Sequence, residues 1–214
     1  MQTNIKNTIK IICFTLTFNL LLDTCPAQEI PGTYRVTYQS KDKNTGQYFQ
    51  AGGSAVAYEK IKDDRVKFLT AGHLFDDAQN HVVHMNNKTY NILKTGEYHS
   101  IFLKESLIEF ETAYADVPII PLAYYDPPVN AEVQFSGFPD SKPDTTKCTI
   151  KQHNQESHFF LTNPPLPTFG YSGGPVVHNG YVVGILSGFD DKSQVGVHIN
   201  VSLKVLVSNK IKKK

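Results

Sequence analysis

Gly170-Tyr171-Ser172-Gly173-Gly174-Pro175, running directly into Val176 and Val177, is the stretch on which the fold turns. A lone serine is a weak nucleophile, because its hydroxyl keeps its proton far above neutral pH. It needs a base beside it and amide donors aimed at the oxyanion that its attack creates. Glycine on both sides removes Cβ clashes and lets backbone N–H groups turn inward. Gly170 and Ser172 are thus the candidate oxyanion-hole donors. Taken alone, the stretch equally fits a glycine-rich turn between two strands, and the decision rests on residues upstream.

Two upstream segments supply partners. In Phe68-Leu69-Thr70-Ala71-Gly72-His73 an apolar strand ends in small residues and a histidine follows. In Asp116-Val117-Pro118-Ile119-Ile120-Pro121-Leu122 a carboxylate heads an apolar run. A buried carboxylate must find a hydrogen-bonding partner, and His73 is the natural one. Its ring would donate one N–H to Asp116 and take the Ser172 proton on the other nitrogen. The expected catalytic set is His73, Asp116 and Ser172, in that chain order.

That order and these motifs resemble the trypsin/chymotrypsin family of serine peptidases. Thr70-Ala71-Gly72-His73 is similar to the family's Thr-Ala-Ala-His segment. Asp116-Val117-Pro118-Ile119-Ile120 resembles Asp-Ile-Ala-Leu-Leu, and Gly170 to Pro175 resembles Gly-Asp-Ser-Gly-Gly-Pro. Tyr181-Val182-Val183-Gly184-Ile185-Leu186-Ser187-Gly188 resembles the substrate-pairing strand. Within the family, Phe135-Ser136-Gly137-Phe138-Pro139 and Gly196-Val197-His198-Ile199-Asn200 are most similar to the glutamyl endopeptidase (V8-like) branch. Small viral and HtrA-like members share several of these features. The resemblance implies an all-β fold of two six-stranded antiparallel β-barrels with a C-terminal helix. It also implies acyl transfer to Ser172 and then to water. Ser187 would support the buried aspartate. The competing Gly-x-Ser-x-Gly elbow of α/β-hydrolases needs a helix directly after the serine, and Pro175-Val176-Val177 disfavours one.

The same resemblance exposes departures. Tyr171 stands where trypsins carry an Asp that pairs with a new N-terminus, so activation by that ion pair is not expected. The substrate pocket would be walled by Leu166, Pro167, Thr168, Leu186, Ser187, Gly188 and Phe189, with His198 near its floor. Leu166 replaces trypsin's pocket Asp, and Leu186 replaces the His with which V8-like enzymes read glutamate. The expected preference at the cleaved residue is therefore small or apolar. A catalytically inactive homologue serving as a binding module is the competing reading. Retention of all three triad residues favours the enzyme.

The 214 residues carry a net charge of +1, which gives no reason to expect nucleic acid as partner. The expected partner is a protein or peptide substrate, with no metal or organic cofactor, and the expected state is a monomer. Lys6 and Lys10 precede an apolar run from Ile11 to Leu22. That run falls short of the roughly 20 residues a bilayer span needs and suits a signal-peptide core. Cleavage after Ala27 would leave Cys148 as the one cysteine, hence no intrachain disulfide, and a secreted or periplasmic location. His81 and His84 lie three apart on an expected strand, facing opposite sides, so they do not form a metal pair.

Short strands with regular turn signals cover the rest. They are expected at 34–39, 55–58, 66–70, 81–85, 89–93, 101–103 and the Asp116 run. A second set is expected at 132–136, 148–152, 157–161, 175–177, 181–187 and 196–199. Asn86-Asn87-Lys88 is a hairpin signal. The expected organisation is a signal peptide over 1–27 and a first barrel over 28–123 with His73 and Asp116. A linker follows over 124–130, then a second barrel over 131–200 with Ser172, and a helix with a basic tail over 201–214.

Overall fold

Asn86 and Asn87 both adopt left-handed backbone, φ 49° and 60°, as a two-residue hairpin turn that follows the strand twist requires. They join β4 (Ala78–Met85) to β5 (Lys88–Asn91). The computed structural model describes residues 30–62, 64–99, 105–113, 116–153, 157–162, 169–190, 196–204 and 206. The remaining strands of the first half are β1 (Thr33–Lys41), β2 (Tyr48–Ile61), β3 (Arg65–Ala71), β6 (Leu93–His99) and β7 (Ser106–Thr112). They form one antiparallel sheet in the order β5-β4-β1-β2-β3-β7-β6.

β5 and β6 stand at opposite ends of this order, yet only Ile92 separates them in the chain. A sheet whose two edges are joined by one residue must be rolled up. The segment expected as a single strand over 89–93 is therefore a corner that pairs with β4 before Ile92 and with β7 after it. Tyr34, Phe68 and Phe110 fill the inside. The Phe68 and Phe110 rings stack at 4.9 Å, and Tyr34 meets Phe68 edge-on at 5.7 Å.

The second half comprises β8 (Glu132–Gly137), β9 (Asp144–His153), β10 (Ser157–Thr162), β11 (Pro175–His178), β12 (Tyr181–Asp190) and β13 (Gly196–Ser202). These close into a six-stranded antiparallel barrel, β10-β13-β12-β11-β8-β9, which has no free edge to protect. The chain is thus all-β with a chymotrypsin-like pair of barrels. At the C-terminal end Lys204 and Leu206 are helical; the rest of the expected helix and tail, like the expected signal peptide and the 101–103 strand, lies outside the described residues.

One core cluster spans both halves. Val56, Leu69, Ala71, Leu74 and Leu107 from the first sheet pack with Val177, Val182, Ile185 and Val201 from the second. The connector crosses this junction and is tied to both sides. Ile120 N–H donates to Ala57 O at 2.9 Å, and Ala123 N–H donates to Val182 O at 2.9 Å. Asp126 then accepts from Ser202 Oγ at 2.8 Å and pairs with Lys204.

The Asp116 run is not a strand. Pro118 and Pro121 cannot donate to a ladder, and the run crosses the surface as irregular connector with Val117 and Ile120 turned inward. The strand that pairs with β3 is β7, ten residues earlier in the chain.

Candidate active site

His73 sits in a single 3-10 turn, Gly72–Leu74, directly after β3. Leu74 pins the turn by its side chain, which is 1% exposed within the shared core. His81 pins it from the other side. Its Nε2 lies 2.9 Å from Leu74 O, and its ring stacks on Phe75 at 4.0 Å and on Tyr38 at 5.5 Å. Burial pushes the His81 imidazole below its usual range, against a smaller opposing effect of the Leu74 bond. A neutral ring that donates its N–H to the carbonyl satisfies both conditions. His84 bonds Thr37 Oγ1 at 2.8 Å instead. Among the described residues no cluster of three His, Cys, Asp or Glu could hold a metal.

The carboxylate beside His73 is Glu105. Its Oε2 lies 2.9 Å from His73 Nδ1, and its Oε1 accepts from the His73 amide at 3.2 Å. The Ser106 amide donates to Oε1 at 2.9 Å, and Ser187 Oγ donates to Oε2 at 2.7 Å. Burial works to raise the Glu105 carboxyl. The bonds from His73, Ser187 and the Ser106 amide outweigh it and hold the group below the usual glutamate range. An ionised carboxylate only accepts, so His73 Nδ1 is the donor and Nε2 is left with its lone pair free to take a proton.

Gly72 makes this approach possible. A Cβ built on it would lie 1.7 Å from Ser106 Oγ and 2.9 Å from Ser106 O. Without a side chain there, the head of β7 comes against the His73 turn and delivers Glu105. Asp116 is exposed and makes no hydrogen bond or ion pair with His73. The carboxylate hydrogen-bonded to His73 is thus Glu105 and not the expected Asp116. The geometry brings His73, Glu105 and Ser187 together and leaves Asp116 outside.

Ser172 lies in the turn between β10 and β11, half-buried. The turn docks on the first sheet. Ser54 N–H donates to Ser172 O at 2.8 Å, and Ser54 Oγ donates to Gly170 O at 2.6 Å. Gly173 N–H donates to Leu186 O, and Leu186 N–H to Gly174 O, at 2.8 and 2.9 Å. Gly170 takes φ +97°, and a Cβ there would sit 2.3 Å from Phe138 O, so this position accepts only glycine. Among the described residues no backbone acceptor takes the amides of Gly170 or Ser172, and no hydrogen bond joins Ser172 Oγ to His73.

The expected pocket residues divide. Leu166, Pro167 and Thr168 lie outside the described residues. Leu186 is 2% exposed and packs in the core of the second barrel with Val133, Phe135 and Val183. Ser187, the next residue, turns to Glu105. A Cβ on Gly188 meets nothing within 4 Å among the described residues. Phe189 and His198 are opposed in register on β12 and β13. Phe169, which no sequence pattern singled out, is 90% exposed immediately before Gly170. It shares a cavity of about 230 Å³ with Arg35, Gly52, Gly53, Phe138 and Asp140. Cys148 is buried and its thiol is pushed up to about 12 by burial and by Glu132, which rules it out as a nucleophile at neutral pH.

No protein-family profile and no curated protein sequence matches the chain. Solved structures do. The active form of the Rv3671c protease from M. tuberculosis matches at 16% identity and TM-score 0.64, over 82% of this chain and 78% of that one. The serine endoprotease from Yersinia pestis matches at 20% identity and TM-score 0.60, over 86% and 63%. The HtrA-type protease AlgW with a bound tripeptide matches at 18% identity and TM-score 0.63, over 84% and 59%. The chain spans less than two thirds of the latter two. At these identities the likeness establishes the fold, a trypsin-like double barrel whose structural neighbours are HtrA-type and trypsin-like serine proteases.

Proposed function

We propose that the chain is a serine endopeptidase in which Ser172 is the nucleophile, His73 the base and Glu105 the orienting carboxylate. The observation that carries this reading is the chain of bonds His73 Nδ1–Glu105–Ser187. It fixes the imidazole tautomer and ties the first sheet to β12 of the second barrel. Ser172 Oγ attacks the scissile carbonyl carbon as its proton passes to His73 Nε2. The oxyanion is received by the amides of Gly170 and Ser172. The C–N bond breaks and the amine leaves with the proton from His73. Water, deprotonated by His73, then releases the acyl group from Ser172. Glu105 stabilises the imidazolium throughout without taking the proton.

Leu166 in place of an acidic pocket residue and Leu186 in place of a glutamate-reading histidine support a small or apolar preference at the cleaved residue. The trypsin-like and HtrA-type neighbours, together with the apolar segment at 11–22, support a secreted or periplasmic setting. The finer V8-like assignment rests on the motifs at 135–139 and 196–200, and Leu186 in the core gives it no glutamate-reading group. The test is labelling by a serine-directed fluorophosphonate with Ser172→Ala as control, followed by cleavage profiling on a peptide library. Labelling of the native protein and not of the variant is the expected result. A folded native protein that does not label is instead a module that binds peptides without cutting them.

A further inference from the structure

We infer that Tyr171 and Asp144 form an internal latch that sets the oxyanion-binding turn, with Tyr171 as a positioning residue. This rests on the serine peptidase reading above. Tyr171 is fully buried, an unusual position for a residue in a turn between the oxyanion glycine and the nucleophile. Its ring meets Phe135 edge-on at 5.3 Å. Its hydroxyl donates to the carboxylate of Asp144, at the head of β9. Asp144 is itself held, because it pairs with Gly137 in the ladder and its carbonyl accepts from Ser136 Oγ at 3.1 Å. The phenol is thus anchored to the frame of the second barrel and not to another loop.

The anchor acts on the backbone that matters. Tyr171 O accepts from Gly174 N–H at 2.9 Å. A trans peptide points its C=O and N–H in opposite directions. With Tyr171 O turned to Gly174 within the turn, the N–H of Ser172 points to the opposite side of that peptide, where the proposed oxyanion would lie. The neighbouring Gly170 carbonyl is clamped in turn by Ser54 Oγ at 2.6 Å and Phe138 N–H at 3.1 Å. Among the described residues, the side-chain charge bonded to this turn is that of Asp144, and the neutral phenol meets it with no basic partner. The turn is thus held from the first sheet through Ser54 and from within the second barrel through the Tyr171–Asp144 bond.

The test is Tyr171→Phe, which keeps the ring and removes the hydroxyl. Loss of a single oxyanion donor costs about 10²–10³ in kcat, and a misaligned donor costs a part of that, so a fall of about 10–100-fold in kcat with KM near the native value is expected. Affinity for a peptide boronic acid, which forms a tetrahedral adduct on the serine, falls in the same proportion. Affinity for an uncleaved product peptide does not. Asp144→Asn keeps an acceptor and retains most of the turnover, whereas Asp144→Ala behaves as Tyr171→Phe does. Should Tyr171→Phe fail to fold, the Asp144 pair reads the same bond from a half-buried position. Native kinetics in Tyr171→Phe and Asp144→Ala, or an equal loss of affinity for boronate and product peptide, overturns the latch. An inactive native protein overturns the peptidase reading itself, and the two failures are told apart by the native control.

Discussion

Glu105 has one more methylene than the aspartate expected at its post, and that length decides how it binds. It lets one carboxylate oxygen reach the His73 ring while the other takes the amides of His73 and Ser106. Glu105→Gln places an amide where the acceptor stood and favours the wrong imidazole tautomer. In trypsin, the corresponding Asp→Asn change costs about 10⁴ in kcat. A loss of about 10³–10⁴ in kcat/KM is expected here, read on a fluorogenic peptide. Asp116→Asn, on the exposed connector, is expected to stay within about twofold of native. If the two results were exchanged, the assignment of the carboxylate would be wrong. Glu105 also couples stability to pH. Its carboxyl is held below the glutamate range, so the stabilisation is complete above that range and is lost as pH falls through the lowered value. The Tm advantage of the native protein over Glu105→Gln should therefore be constant near neutrality and shrink on acidification below about pH 4. A difference that grew in acid would contradict an ionised Glu105.

The 3-10 turn of Gly72–Leu74 shows what an element can carry that its length does not suggest. Gly72→Ala drives a methyl into Ser106 and pushes the head of β7 away from His73. The expected cost is about 1–3 kcal/mol by urea denaturation, typical of overpacking, and a fall in kcat larger than the stability loss alone explains. Full activity would show that β7 can yield. Much of this was legible in the sequence. The Ser172 turn, the His73 turn and the asparagine hairpin each rest on local chemistry, in glycine, small residues and left-handed asparagines, that no distant contact overrides. The carboxylate that bonds His73 was not. Glu105 and Asp116 each head an apolar segment, and a count of apolar residues cannot separate them. The prolines at 118 and 121 do, because a strand needs donors as well as side chains. Leu186 illustrates a second limit. The register shift between Leu186 and Gly188 changes which side chains face the core, and a bulge leaves no mark on a simple alternation. The pairing of Ser187 with its carboxylate was anticipated, but the carboxylate was another one.

At the scale of the whole molecule, the shared cluster makes the two barrels one cooperative unit. Ile185→Ala removes a fully buried side chain on the second sheet, at an expected cost of about 2–5 kcal/mol. Because Ile185 packs with Leu69 and Leu107 in the shared cluster, hydrogen exchange should quicken at Leu69 and Leu107 in the first sheet as well as at Val183 and Leu186. Exchange confined to the second barrel would mean that the halves open independently. The Leu122–Val182 bridge and the Asp126 contacts tie the connector into the same unit. The long-range bonds of the site have a consequence in time. Glu105 and Ser187 lie 82 residues apart in the chain, and such contacts close late because their loop entropy must be overcome first. On the proposed chemistry, a half-made chain holds a base without a nucleophile, and a half-folded one holds both out of register. The blade is assembled only when there is no longer an unfolded copy of itself within the same molecule to cut.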